Sequence, residues 1–224
     1  MENGAERTGT TSAARRSAAG AVLARDADVI TDKRVLRGVR SRQIVLREAV
    51  DVASLEGLEG VSFGRLSAAT GISKAGVQTL FRSKETLQLT TIEYARELFL
   101  DSVVAPARSV THGVARLRAL ISNWIDYAER PLFAGGCFWV ANLADYDSKE
   151  GPIRDALRRQ RQEWVGLIAA ELRHGVAAKE IGDLDADLAA FQIDAVLCAT
   201  NTSMRLGDDD AADKARRIVE GILR

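Results

Sequence analysis

A chain of 224 residues with three prolines, 46% hydrophobic residues and no formal net charge has room for a small module and a larger one. No apolar run approaches the ~18 to 20 residues needed to cross a bilayer, and the two cysteines lack the spacing of a metal site or disulfide framework. A membrane-embedded protein and a disulfide scaffold are thereby excluded, and a cytoplasmic location is expected.

Residues 1–36 are rich in Ala, Gly, Thr, Ser and Arg with little to bury, and read as a flexible tail. Ala18 to Ala24 after Arg15 and Arg16 is too short and too weakly apolar for an export signal, and Arg25 and Asp26 follow directly. Charge is unevenly distributed. Between Lys33 and Lys84 ten Lys and Arg stand against four acids, a net of +6, while the first 32 residues carry −1 and the remainder −5. A basic module of this size provides the salt-sensitive, sequence-independent part of DNA affinity. Its densest stretch holds Lys33, Arg34, Arg37, Arg40 and Arg42, suited to a phosphate backbone or a minor groove.

The segment from Val61 to Leu87 is spelled as a helix-turn-helix reader of DNA. Phe63, Leu66 and Ala69 are expected to form the inward face of a short helix, with Ser67 at the close crossing. Gly71 permits the sharp turn because only glycine takes a positive φ without strain. Ser62 and Ser73 are placed to cap helices, Ser62 alternatively donating to a phosphate. Val77 and Phe81, four apart, would pin the second helix to the core. Lys74, Ala75, Gly76, Gln78 and Thr79 would then face outward, short or polar enough to approach base edges. Gln78 can pair bidentately with adenine, and Thr79 can offer a hydroxyl or a methyl. Gly76 costs roughly 1 kcal/mol inside a helix, which fits close approach to DNA. Ser83 should cap the next helix, leaving its first N–H groups and Lys84 for a phosphate.

From Arg42 to Leu87 the chain resembles, without a gap, the DNA-binding domain of the TetR family of one-component bacterial transcription regulators. The likeness is carried by Val45-Leu46, Ala49, Gly57, Leu66-Ser67, Ala69, Gly71-Ile72-Ser73-Lys74 and Phe81-Arg82-Ser83-Lys84-Glu85-Thr86-Leu87. Gln78 stands where the family usually has a DNA-contacting tyrosine, and Leu80 where histidine is common, so the operator cannot be carried over. The resemblance implies an all-α protein of about nine helices. A three-helix DNA-binding domain at 37–84 would precede a larger helical bundle at 85–224 for ligand binding and dimerisation.

Further helices are expected over Lys84–Val104 (stopped by Pro106), His112–Arg130, Gly136–Tyr146, Pro152–Ala178, Ala186–Leu206 and Ala211–Leu223. Trp124, Tyr127, Phe133, Phe138, Trp139 and Tyr146 make up half the chain's aromatics within 23 residues. With Asn123, Asp126 and Asn142 between them, and with Trp164 and Phe191 approaching, they could line an apolar cavity or fill a solid core. Gly135-Gly136-Cys137-Phe138, Asp145-Tyr146-Asp147-Ser148 and Gly151-Pro152 are similar to one group of TetR-type effector domains, over roughly 110–205. That likeness implies a small-molecule effector of unnamed identity, with Trp124, Tyr127, Phe133, Cys137, Phe138, Trp139, Asn142, Trp164 and Phe191 as candidate contacts.

Leu188, Phe191, Ala195, Cys198 and Thr202 recur at helical spacing, as do Ala215, Ile218 and Ile222. They could face the monomer core. The resemblance implies instead a homodimer built on these two helices and matched to the symmetry of a double-stranded operator.

Catalysis is not advertised. His112 and His174 lack spaced carboxylate or cysteine partners in the sequence, Cys137 and Cys198 read as small buried groups, and no nucleophile, phosphate-loop or metal motif occurs. The expectation is a non-enzymatic, ligand-responsive repressor without cofactor or metal. Its effector would bias the tilt of the helix beginning at Lys84. The alternative is a helix-turn-helix protein with a filled core, controlled by a protein partner.

Overall fold

The computed structural model describes the backbone of residues 11–130 and 132–224, with side chains except those of 11–32 and 34. Among the described residues there are nine α-helices and no strand. They are α1 (Thr11–Glu56), α2 (Phe63–Thr70), α3 (Lys74–Phe81), α4 (Lys84–Phe99), α5 (Val114–Glu129), α6 (Phe138–Tyr146), α7 (Pro152–Ala177), α8 (Ala186–Arg205) and α9 (Ala211–Ile222). The expected all-α class and helix count hold. No described helix is long and apolar enough to cross a membrane.

Two compact units divide the chain, Met1–Gln43 and Ile44–Arg224. In the first, the stretch read as a flexible tail is helical from Thr11 onward, consistent with its many alanines and arginines, which are strong helix formers. In the second, the boundary expected after Lys84 does not separate two cores. One apolar cluster runs from Val45 and Leu66 through Phe81 and Ile92 to Leu172 and Val219.

Helix ends follow local chemistry. Ser62, Ser73, Ser83 and Asp185 each accept a backbone N–H of the following turn, capping α2, α3, α4 and α8. Pro152 sits in the first turn of α7, where its missing N–H costs nothing. The helix expected over Lys84–Val104 is α-helical only to Phe99, widens to π-type turns over Leu100–Val104, and tightens to a 3-10 turn over Ala105–Ser109. Pro106 explains the change, since it can neither donate to residue 102 nor fit its ring against that carbonyl. Asn123 Nδ2 takes up the Val103 carbonyl at 2.9 Å.

Candidate DNA-reading face, coupling joint and ligand cavity

The geometry of α2 and α3 is that of a DNA reader. Gly71 takes φ 70 and returns its N–H to Ser67 O, closing α2. Ser73 Oγ accepts from Gly76 N at 3.1 Å and opens α3. Val77 and Phe81 are 0% and 1% exposed, anchoring α3, while Lys74, Ala75, Gln78 and Thr79 are exposed and Gly76 partly so. Thr79 donates its hydroxyl back to Ala75 O at 2.8 Å, so that hydrogen is engaged within the helix. On α2, Leu66 is buried and Phe63 half-buried against the core, but Ala69 is exposed. An eight-residue helix held at two anchors has no third inward turn to offer it.

Ser62 Oγ caps α2 as expected, accepting from Arg65 N at 3.3 Å, and its own hydrogen stays available to donate. Lys84 is not free: its Nζ meets Glu59 Oε2 at 3.0 Å and Glu59 O at 3.2 Å. In the first unit, Arg40 is exposed and Arg42 half-buried.

Around Glu59 lies a joint that the sequence did not announce. Tyr146, at the end of α6, donates its hydroxyl to Glu59 Oε1 at 3.0 Å, and Lys149 Nζ stands 3.7 Å from the same oxygen. The Lys84 ammonium, and after it the Tyr146 hydroxyl, hold the Glu59 carboxyl below its usual range. Burial, and then the Glu59 carboxylate, push the Tyr146 phenol up.

Asn142 of α6 completes the joint. Its Oδ1 accepts from Leu58 N at 2.7 Å, and its Nδ2 donates to Ala53 O at 3.1 Å and Phe138 O at 2.7 Å. The Gly135-Gly136 pair serves the same joint. Gly135 N donates to Ser54 Oγ at 2.8 Å, and a side chain at Gly135 would fall 2.0 Å from Ser54 O. Asn142 is thus no ligand contact: it is 0% exposed and fully used in joining α6 to the end of α1.

A cavity of about 90 Å³ lies in the larger unit, between α4, α5, α6, α7 and α8. Of the expected contacts, Trp124, Cys137, Trp139 and Trp164 line it. Phe99 joins them, its ring 5.0 Å from Trp139 and 5.3 Å from Trp164, edge-on to both. Leu100 and Val104 of the π-type segment also line it, a frequent association for such turns. Besides Asn142, four expected contacts are elsewhere. Phe133 and Phe138 are 0% exposed and meet edge-on in the solid core, their ring centroids 6.2 Å apart, and Tyr127 receives Phe138 N on its hydroxyl at 3.2 Å. Phe191 is 60% exposed on α8. Packing distance along a helix cannot tell a cavity wall from a filled core, because both need the same apolar residues.

Charged groups at the cavity come from α4, α7 and α8 and were not foreseen. Arg161 pairs with Asp194 at 2.7 Å, and Arg96 with Glu163 at 2.9 Å. Burial, then the Asp194 carboxylate, push the Cys198 thiol up to about 12; Cys137 is raised too, by burial first. Both thiols are therefore neutral walls of the cavity.

The faces expected to dimerise divide. Leu188, Phe191, Ala195 and Thr202 of α8 and Ile218 of α9 are exposed, and Ile222 is half-buried. Cys198 lines the cavity instead, and Ala215 is 1% exposed in the monomer core. His112 has a partner the sequence hid: Glu171, 1% exposed, receives Gly113 N at 2.9 Å and lies 3.0 Å from His112 Nδ1. The His112 and His174 rings are 4.7 Å apart. Among the described residues no group of three or more His, Cys, Asp and Glu could hold a metal ion.

Residues 113–219 match the family described as a tetracyclin repressor-like C-terminal domain. No curated protein matches the chain. Among solved structures, a TetR transcriptional regulator from Chloroflexus aurantiacus J-10-FL is 26% identical, with 84% of this chain and 94% of that chain covered and a TM-score of 0.73. A transcriptional regulator from Saccharomonospora viridis, solved with choline, shares the fold at 19% identity, coverage of 82% and 95%, and a TM-score of 0.67. AibR, solved with isovaleryl coenzyme A and operator DNA, does so at 21% identity, coverage of 81% and 97%, and a TM-score of 0.66. The capped reader helix exposed above its two anchors, the tetracyclin repressor-like C-terminal domain over residues 113–219 and the likeness to the Chloroflexus aurantiacus regulator make the chain a TetR-like transcriptional regulator.

Proposed function

We propose that the protein is a homodimeric, cytoplasmic repressor that binds a two-half-site operator through α3 and is modulated by a small molecule in the tryptophan-lined cavity. The observation that carries this is the division of α3: Val77 and Phe81 are buried, while Lys74, Ala75, Gln78 and Thr79 stand outside. A helix so divided can enter a major groove without exposing large apolar groups. Ser73, Gly76 and, once released from Glu59, Lys84 complete the contact surface. The basic residues Lys33 to Arg42, with Arg40 and Arg42, add sequence-independent affinity through charge alone.

Response to a ligand follows from α6. Its Trp139, Val140 and Leu143 line the cavity, while its Asn142 and Tyr146 hold Ala53, Leu58 and Glu59 beside the reader. A ligand that favours one placement of α6 shifts operator affinity by that preference. The structures of AibR with isovaleryl coenzyme A and operator DNA and of the Saccharomonospora viridis regulator with choline lend this reading support by analogy. Exposed Leu188, Phe191 and Ala195 with Ile218 and Ile222 offer an apolar surface for a second copy.

The reading is tested by selecting bound fragments from random DNA and measuring affinity by gel shift. Two related half-sites are expected, with Gln78→Ala relaxing preference at one position of each at a cost of ~1 to 3 kcal/mol. Phe191→Glu with Ile218→Glu should yield monomers on sedimentation. Selection without enrichment, or an indifferent Gln78→Ala, would refute the reader.

A further inference from the structure

All three tryptophans of the chain line one cavity whose walls are otherwise largely leucine, valine, phenylalanine and neutral thiol. Into this lining comes Asp194, only 4% exposed. Arg161 brings both Nε and Nη2 to the same oxygen, Oδ2, at 3.0 and 2.7 Å. Among the described residues no donor comes within hydrogen-bonding distance of Oδ1. Every fully enclosed side-chain polar atom among them has a partner, so Oδ1 reaches open space, and the space beside Asp194 is the cavity.

Two other polar residues of the wall, Gln160 and Arg96, are already engaged. Gln160 Oε1 receives Trp139 Nε1 at 3.2 Å. Arg96 spends Nε and Nη2 on Glu163, whose side chain is 56% exposed and therefore hydrated. An ionised carboxylate only accepts hydrogen bonds. A buried acceptor left unmet is costly, and an anion brought against it is costlier still. A hydrocarbon cavity of roughly 150 Å³ holds benzene. One of about 90 Å³ takes a single ring with slight adjustment of its walls, and nothing much longer.

We infer that the cavity selects a compact, mostly apolar molecule of about one ring that carries an N–H or O–H donor for Oδ1 of Asp194. The inference rests on the cavity being the effector site. Amine and hydroxyl share the required chemistry.

The test uses the full chain and its own tryptophan fluorescence, which reports on the cavity because every tryptophan lines it. Benzylamine, benzyl alcohol, benzyl methyl ether and benzoate are titrated separately, and operator affinity is measured with each. Benzylamine and benzyl alcohol are expected to bind at least about tenfold more tightly than the ether and benzoate. Asp194→Asn should erase the advantage of benzylamine over benzyl alcohol. Equal binding of the alcohol and the ether, tightest binding of benzoate, or no fluorescence change with any probe at millimolar concentration would each overturn the inference. The wild-type ranking decides this even where Asp194→Asn does not fold. Selective binding that leaves operator affinity untouched would overturn the effector reading instead, with the selector intact. Unselective binding that alters operator affinity would do the reverse.

Discussion

Lys84 gives its ammonium to Glu59, 3.0 Å from the carboxylate and 3.2 Å from the backbone oxygen of the same residue. The lysine expected to meet a DNA phosphate is thus held by a carboxylate of its own chain. Both side chains are about half exposed, so the pair contributes little to stability, on the order of 0.5 to 1 kcal/mol. What it changes is availability. Glu59→Gln is expected to release Lys84, tighten binding to any duplex about two- to fivefold, and steepen its salt dependence. Lys84→Ala should weaken binding on all sequences and flatten that dependence. Salt titrations of both variants on operator and random DNA check the pair. Unchanged slopes would mean that Lys84 never reaches a phosphate.

Asn142 is the second member of the joint, and its loss should be felt as stability. Asn142→Ala leaves Leu58 N and Ala53 O without their side-chain partner in a fully buried setting. A cost of about 2 to 4 kcal/mol is expected in urea unfolding. A ligand contact would behave oppositely, keeping its stability and losing only the ligand. Asn142→Ala with wild-type stability would return the residue to the cavity wall.

The contrast between Gln78 and Asn142 says where the sequence was legible. Around Gln78 the signals are local: a serine cap, a glycine turn and two anchors four residues apart all lie within ten positions, and short-range geometry decides them. Asn142 lies between aromatics, and its partners Ala53 and Leu58 are more than 80 residues away. No periodicity reports such a pairing. The same holds for Asp194 and Arg161, which come from different helices, and for Glu171 beside His112. Gly135 could have been noticed, since a glycine pair next to a helix start often marks close backbone approach; its partner Ser54 could not.

The cavity thiols carry a pH signature. Cys198 is pushed up to about 12 by burial and by Asp194, whereas an unfolded cysteine ionises near ~8.5. Between those values the unfolded chain has lost a proton that the folded chain keeps. The contribution of the buried thiol is therefore complete below ~8.5 and is lost as the pH rises toward 12. At pH 9.5 the wild type should have lost up to about 1 kcal/mol more, relative to pH 7.5, than Cys198→Ala. Urea unfolding at the two pH values measures the difference. A parallel response of both proteins would mean that Cys198 ionises freely.

Arg82 joins the reader helix to α4 with a φ of 64 and a ψ of −54, and Ser83 N donates to Phe81 O across it at 2.7 Å. This is a γ-turn of the strained hand, seldom adopted by residues with a side chain. Strain of this kind costs about 1 to 3 kcal/mol and is tolerated where the surroundings fix the chain. Here the fixing comes from Phe81 before it and the Ser83 cap after it. Arg82→Gly is expected to raise stability by about 1 kcal/mol, after the greater freedom of glycine in the unfolded chain is deducted. Arg82→Val should lower it by about 2 kcal/mol, because a branched side chain fits this backbone worst. Operator affinity should fall a few-fold in Arg82→Gly, since the junction that sets the angle of α3 becomes looser, while Arg82→Lys keeps both strain and charge and should match the wild type. Unfolding midpoints and gel shifts of the three variants separate the backbone effect from the charge; a glycine variant less stable than the lysine one would show that the turn is not strained at all.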